Sequence, residues 1–324
     1  MNLIFLRGKE PTDRDFHETL FTKLELCDDM WTHFAYNLLR KGDNGEVVYW
    51  GANRTQKYKS NFREVRVNKL EDYKPKFEPD VIFARGGFPE YHTILKRYPN
   101  AFKIYYGAGK RFMPNKYFTN YNLVLVDSWE QQLEVQKIYP SLNCSSFIKP
   151  AADNIMYPME CVKEYDVCFP ANGSQENIKG HKFVYTTAPC DLSILNLGNR
   201  GTIAPPVHVV SQRVPRPSIR RYYAKCKVGI VCVNKDVDSC PRVIPEMLAC
   251  GLPIVVLKGT QFWQNRYMSS STGIVASKDK FWDAVRFVRN NYHTFNSRKH
   301  YEDHLSMKCA TNHIRTLIKY WNIT

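Results

Sequence analysis

"RRYYAKCKVGIVCVNKDVDSCPRVIPEMLACGLPIVV", residues 220–256, is the stretch whose reading decides the fold. It holds the apolar run 227–233 and most of a second, 252–259, each with the length of a strand. Apolar runs without alternation read as strands buried on both faces, the habit of parallel sheets. Between them stand a polar turn and a segment with the length of a short helix, closed by Gly251. Glycine there reads as the residue just past a helix end, in the left-handed conformation, so that the next strand can begin at once. Asp238 and Glu246, two acids of this strand–helix–strand unit, stand eight positions apart, with Arg242 between them.

Working outward, the alternation recurs on both sides. Segments 164–170, 191–198 and 206–211 read as further strands of the second half. In the first half, 2–7, 47–50, 80–85, 102–106, 123–127 and 145–150 read likewise. The stretch 28–41 opens on Asp28, a capping residue type, and repeats Trp31, Phe34, Ala35 and Leu38 at helical spacing. The stretch 128–139 opens on Ser128 with Gln131 three on, a capping box. A length of 324 residues suits two domains of roughly 150 each. Prolines and small residues over 145–158 mark the connector. The expected organisation is α/β: a Rossmann-like parallel-sheet domain in 1–150, a second in 151–300, and a helix over 301–324 crossing back to the first. The periodic stretch 296–321 is expected to break near 310. Ligands of such sheets bind beyond the carboxyl ends of the strands, so two such domains would face a common cleft.

Tyr222, Tyr223, Ala224 and Val228, then Asp238, Glu246, Met247, Ala249, Cys250, Gly251, Pro253, Val255 and Val256, resemble the C-terminal signature of GT-B glycosyltransferases that use nucleotide sugars. The connector resembles the family's interdomain segment, with Ala151 in place of glycine. Residues 169–183 resemble the first loop of its nucleotide domain, with Lys179–Gly180 at its Lys-Gly pair. The resemblance spans 148–300 and implies a GT-B fold with a nucleotide-diphosphate sugar as donor, a UDP-sugar first, and no obligatory metal. It implies that Glu246 accepts hydrogen bonds from the ribose hydroxyls and that Asp238, where the family usually has glutamate, contacts the sugar. Cys240, Arg242, Val243, Lys179, Lys182 and Arg213 are the further donor-binding residues it implies. Pro241 stands where glycine is common and Ser174 where the family has arginine. Arg242, and Arg213 or Arg216, are the cations able to replace those diphosphate contacts. Paired acids of this kind are typical of the retaining branch. An inverting enzyme would need a base from the first half, where Asp15, His17, Glu90 and His92 are the sources.

The acceptor is read from charge. The net charge is +15. Arg54, Lys57, Lys59, Arg63, Arg66 and Lys69 crowd one stretch, and Lys103, Lys110, Arg111 and Lys116 interleave with aromatics in another. Cations mixed with aromatic rings suit phosphates and stacked bases. The leading acceptor of so compact and basic a chain is a hydroxyl on a hydroxymethylated DNA base; such an enzyme resembles the phage DNA glucosyltransferases, which are also GT-B. Arg54, Lys57, Lys59, Gly86, Gly87, Lys110 and Arg111 are the acceptor-binding residues of that reading, and Asp238, Glu90 and His92 the catalytic ones. A base inside a duplex must be flipped out to react. Two alternatives stay open: a cell-surface, viral or lipid-linked glycan acceptor, with peripheral contact to acidic membrane, or a non-catalytic nucleotide-sugar or nucleic-acid binding protein. No apolar run reaches the ~18 residues of a membrane span. The opening "MNLIFLRGKEP" reads as a strand rather than a signal peptide, so a cytoplasmic protein is expected. The ten cysteines include no CxxC pair and read as reduced thiols.

Overall fold

The computed structural model describes residues 1–9, 29–51, 54–59, 61–107, 118–199, 201–233 and 240–321, without the side chains of residues 9 and 54–59. Among these, the chain divides into two compact units: one runs to Phe147 and takes in residues from Ala310 on, the other spans Ile148–Cys309.

The first unit is built on β1 (Asn2–Lys9), α1 (Met30–Leu38), β2 (Asn44–Trp50), β3 (Arg54–Lys59), β4 (Phe62–Val67), β5 (Val81–Arg85), α2 (Tyr91–Arg97), β6 (Phe102–Gly107), β7 (Leu123–Val126), α3 (Trp129–Ile138) and β8 (Cys144–Ser146). The sheet order is β3-β4-β2-β1-β5-β6-β7-β8. Every pairing is parallel except the edge pair β3–β4. Leu3, Ile4, Phe5 and Leu6 are all fully buried, which is why β1 reads as an unbroken apolar run. Phe5 stacks on Phe83 at 4.8 Å and Trp31 on Phe147 at 5.5 Å, so α1 is fastened to the sheet by rings. The cap of α1 is Asp29, one residue later than the sequence indicated; its carboxylate accepts the Thr32 N–H at 3.0 Å. Ser128 caps α3 as read, accepting the Gln131 N–H. The Gln131 side chain returns to the Asp127 N–H, one residue before the cap.

The second unit runs β9 (Tyr165–Phe169), α4 (Glu176–Lys179), α5 (His181–Thr187), β10 (Ile194–Leu197), β11 (Val209–Gln212), α6 (Ile219–Ala224), β12 (Cys226–Val231), α7 (Val243–Ala249), β13 (Ile254–Leu257), α8 (Gln264–Tyr267), β14 (Gly273–Ala276), α9 (Phe281–Asn290) and α10 (Ser297–His304). Its six strands are all parallel, in the order β11-β10-β9-β12-β13-β14. That is the 3-2-1-4-5-6 order of a doubly wound Rossmann sheet, with its topological switch between β9 and β12. Helix α9 lays Phe281, Val285 and Val288 onto the sheet core with Val228, Ile230 and Val255. Gly251 has φ +77° and its N–H reaches Leu248 O, while Leu252 N–H reaches Met247 O. This pair of bonds is a Schellman close to α7, as the glycine indicated. The last helix, α11 (Met307–Trp321), starts after a break at Leu305–Ser306, several residues before the expected place.

Candidate functional site

The carboxyl ends of β9 and β12 bracket the switch point of the second sheet, where ligands of such sheets bind. The segment leaving β12 enters α7 through Cys240, whose φ of +44° is a left-handed value rare for a side-chain-bearing residue. Two tethers hold it there. Its N–H donates to Gln261 O at 2.6 Å, and its carbonyl accepts from the Lys149 ammonium at 2.7 Å. Lys149 is itself buried, and the Tyr267 hydroxyl closes on its backbone. Nothing in the sequence marked Lys149 beyond its being the one basic residue in an apolar, proline-bearing connector.

Glu246 lies one turn into α7 and is buried to 7% exposure. Its Oε1 accepts from Nη2 of Arg216 at 3.0 Å, across thirty residues of chain. Arg216 sits on a single 3-10 turn ahead of α6. Tyr223 of α6 is fully buried, and its hydroxyl has no hydrogen-bond partner among the described residues. Burial first, and then the Glu246 carboxylate, hold that phenol well above its ordinary pKa. Burial together with Glu246 likewise pushes the Cys250 thiol up to about 12. From behind, α10 steadies the helix: Arg298 Nη1 donates to Ala249 O at 2.7 Å, in its last turn.

The cations expected around the diphosphate are spread over several elements. Arg242 is exposed at the start of α7, with Val243 the first residue of the helix. Lys179 is half-buried and ends α4; Lys182 is exposed on α5, and Arg213 is exposed after β11. Lys179 stands next to a close backbone approach. The following Gly180 has φ +77°, and a Cβ on it would lie 2.1 Å from the Cys232 carbonyl oxygen. This glycine presses the segment against the chain leaving β12, which a side chain would forbid. Asp238 lies outside the described residues, as do Asp15, His17, Lys110 and Arg111.

In the first unit, the switch falls between β1 and β5. Gly86 follows β5 with φ +88°, and a Cβ there would meet the Phe88 ring at 2.9 Å. Gly87 and Glu90 are exposed, and His92 is half-buried. Glu90 sits at the cap position of α2 without capping it, and His92 lies two residues on. Residues two apart on a helix do not face one another, so these two do not act as a pair. Sequence reading missed what surrounds β1's carboxyl end. Arg7 Nη2 donates to Asp29 Oδ1 at 3.2 Å, and Arg7 and Arg85 lie over the Trp31 ring. Burial would lower the Arg7 pKa, but Asp29 and Tyr49 hold it above its ordinary value. Arg54, Lys57 and Lys59 all lie on β3, the antiparallel edge. The register sets Arg54 opposite Arg66 and Lys57 opposite Arg63. Arg66 is paired to Glu64, and Arg63 to the buried Glu46.

Among the described residues no cluster of three or more histidine, cysteine, aspartate or glutamate side chains is arranged to hold a metal ion. No helix among them is long and apolar enough to cross a membrane.

No protein-family model matches the chain. No curated protein matches it by sequence. Solved structures do match by shape. Sucrose-phosphate synthase (tll1590) from Thermosynechococcus elongatus superposes with a TM-score of 0.70 at 9% identity, over 98% of each chain. An alpha-glucosyltransferase in complex with UDP and a 13-mer DNA containing an HMU base superposes at 0.64 and 12% identity, over 98% of this chain and 99% of that one. The lipopolysaccharide outer core galactosyltransferase WaaB, in apo form, does so at 0.64 and 10% identity, over 99% of each. With two Rossmann-like parallel sheets matched over nearly their whole length, the chain has the GT-B fold.

Proposed function

We propose that the protein is a glycosyltransferase that moves a sugar from a nucleotide-diphosphate sugar, a UDP-sugar first, to an acceptor hydroxyl. The observation that carries this reading is Glu246: a buried carboxylate at the carboxyl edge of a 3-2-1-4-5-6 sheet, with Oε2 making no hydrogen bond among the described residues. A carboxylate so placed suits the vicinal hydroxyls of a ribose. Structures of similar fold carry UDP: the DNA alpha-glucosyltransferase already named, and a pneumococcal O-GlcNAc transferase, GtfA, in complex with UDP and GlcNAc.

In this proposal the bond from the anomeric carbon to the β-phosphate oxygen breaks, and a bond to the acceptor oxygen forms. The acceptor hydroxyl gives up its proton, and the nucleoside diphosphate leaves with the charge. Lys179, Lys182, Arg213 and Arg242 are assigned to stabilise that charge. Cys240 and Val243 line the donor side, and Asp238 contacts the sugar. Retention of configuration is the favoured course, with no bound metal required. Asp15, His17, Glu90 and His92 are the first-unit groups assigned as sources of a base for the acceptor proton.

For the acceptor, we favour a hydroxymethylated DNA base. The β3–β4 register supports it, since it aligns basic residue against basic residue along an edge of the sheet. Arg63 and Arg66 are already paired with Glu46 and Glu64, so Arg54, Lys57 and Lys59 of β3 are the basic residues of this edge assigned to a phosphate backbone. Gly86 and Gly87 are assigned to the same acceptor, together with Arg54, Lys57, Lys59, Lys110 and Arg111. Mass spectrometry tests the reading: the protein is incubated with a panel of nucleotide sugars and either hydroxymethylated DNA or simple glycans. A hexose-sized mass gain on the DNA, lost in Glu246→Ala, is the expected result. Gain on a glycan with none on DNA would replace the acceptor. Neither transfer nor donor hydrolysis with any sugar would leave a binding protein.

A further inference from the structure

We propose that Arg216 is a positioning residue, fixing the Glu246 carboxylate so that it distinguishes a ribose from a deoxyribose. The inference rests on the donor-site reading above and goes one residue deeper.

The contact between the two is one-pronged. Arg216 Nη2 meets Oε1 at 3.0 Å, and the carboxylate's second oxygen is left without a hydrogen bond among the described residues. An arginine that served stability alone gains most from a two-pronged fork on a carboxylate. A single prong leaves the outer lone pairs open while stopping the carboxylate from turning about its last bond. A diol offers two O–H donors at a fixed separation, so a carboxylate held in one plane loses less freedom on meeting it than one free to rotate.

The surroundings agree. Glu246 is buried to 7% exposure, while the Arg216 side chain retains 27%, so the pair lies at the border between core and solvent. On α6, the Tyr223 hydroxyl is fully buried and unpartnered among the described residues. A buried O–H without a partner is costly and uncommon, and here it lies within electrostatic reach of the same carboxylate. Arg216 and Tyr223 both belong to the segment leading into and through α6. That one segment therefore sets both the orientation and the polarity around Glu246. Of the two arginines the sequence offered for the missing diphosphate clamp, Arg213 is exposed and Arg216 is engaged with Glu246.

The test is calorimetric titration of the full chain with UDP and with 2′-deoxy-UDP, for wild type, Arg216→Met, Arg216→Lys and Glu246→Gln. The wild type is expected to favour UDP by about tenfold or more, the size of one hydrogen bond to a charged group. Arg216→Met is expected to bring the two nucleotides within about threefold of each other by weakening UDP selectively. Arg216→Lys keeps the charge without the planar fork, so its ratio should fall between. An arginine with a merely structural role would weaken both nucleotides alike; an unchanged ratio in Arg216→Met overturns the proposal. Should Arg216→Met not fold, a wild-type ratio in Arg216→Lys overturns it instead. Glu246→Gln separates the layers: if it keeps the preference for UDP, the donor-site reading itself fails. If it loses the preference while Arg216→Met retains it, the role of Arg216 alone fails.

Discussion

Gly180→Ala is a sharp test of how the proposed nucleotide side of the second unit is held together. Two costs fall on one methyl group. The backbone is left-handed, φ +77°, which costs a side-chain-bearing residue about 1–2 kcal/mol. The new Cβ would also lie 2.1 Å from the Cys232 carbonyl oxygen, 2.8 Å from Cys232 Cβ and 3.1 Å from its carbonyl carbon. Those neighbours belong to the chain just past β12, a central strand, and cannot turn aside as a flexible side chain can. Overpacking against such a wall costs about 1–3 kcal/mol. Together the loss is about 2–5 kcal/mol, a large part of an ordinary domain's stability. Gly259→Ala supplies the control within the same unit, since its φ is +102° and nothing lies within 4 Å of where its methyl group would stand. It should carry the backbone cost alone. Urea unfolding, followed by hydrogen exchange in the peptides spanning β9 to β14, is the assay. The midpoint of Gly180→Ala should fall by roughly 1–2 M, and that of Gly259→Ala by about half that, roughly 0.5–1 M. UDP affinity should fall further in the first variant, because relief of the clash moves Lys179 away from the chain leaving β12. Equal shifts in the two variants would refute the close approach, and with it the placement of Lys179.

Three further outcomes follow from the geometry. Burial pushes the Asp166 pKa up, but Lys227 at 2.9 Å, the Ser193 N–H and Arg289 outweigh it and hold the group below its ordinary value. Its stabilisation is therefore present above the ordinary carboxylate pKa and lost as pH falls through the folded value, so Asp166→Asn should flatten the acid limb of a stability–pH curve. Arg315 donates to the carbonyls of Asn37, Leu38 and Leu39 at the end of α1; Arg315→Ala should cost about 1–3 kcal/mol and speed hydrogen exchange in α1 first. Arg298→Ala frees the last turn of α7 and should weaken UDP binding several-fold, by about 1 kcal/mol, with no change in the exchange of the first unit.

How much was legible in the sequence depended on what each element buries. Strands such as Leu3–Leu6 and Leu123–Val126 are buried on both faces, so their apolar runs announced them. β4 was not announced, because it alternates: Glu64 is buried and paired with Arg66, and Arg63 pairs with a buried Glu46 on the neighbouring strand. Charges neutralised inside a sheet look, in a sequence, like charges on a surface. β14 was missed for a related reason: its residues Gly273–Val275 are only half-buried at the sheet edge. Glu246 was legible from its spacing and context, whereas its partner Arg216 was only one of several cations in a basic run. No local pattern links residues thirty apart on different elements.

That asymmetry bears on function. The second unit is specified by strand order and close backbone approaches: a 3-2-1-4-5-6 sheet, Gly180 against Cys232, a Schellman close at Gly251, a tethered left-handed Cys240. Such features demand particular residue types at particular places, so they leave a motif. The first unit achieves the same parallel topology with ring packing around Trp31 and paired charges around Glu46, Glu64 and Asp29. Those solutions admit many sequences and leave none. A site for a nucleotide, whose shape is shared by many donors, can rely on a fixed backbone cradle. A site for an acceptor is expected to be shaped by side chains, and its identity is therefore to be sought by varying the substrate rather than by reading the chain.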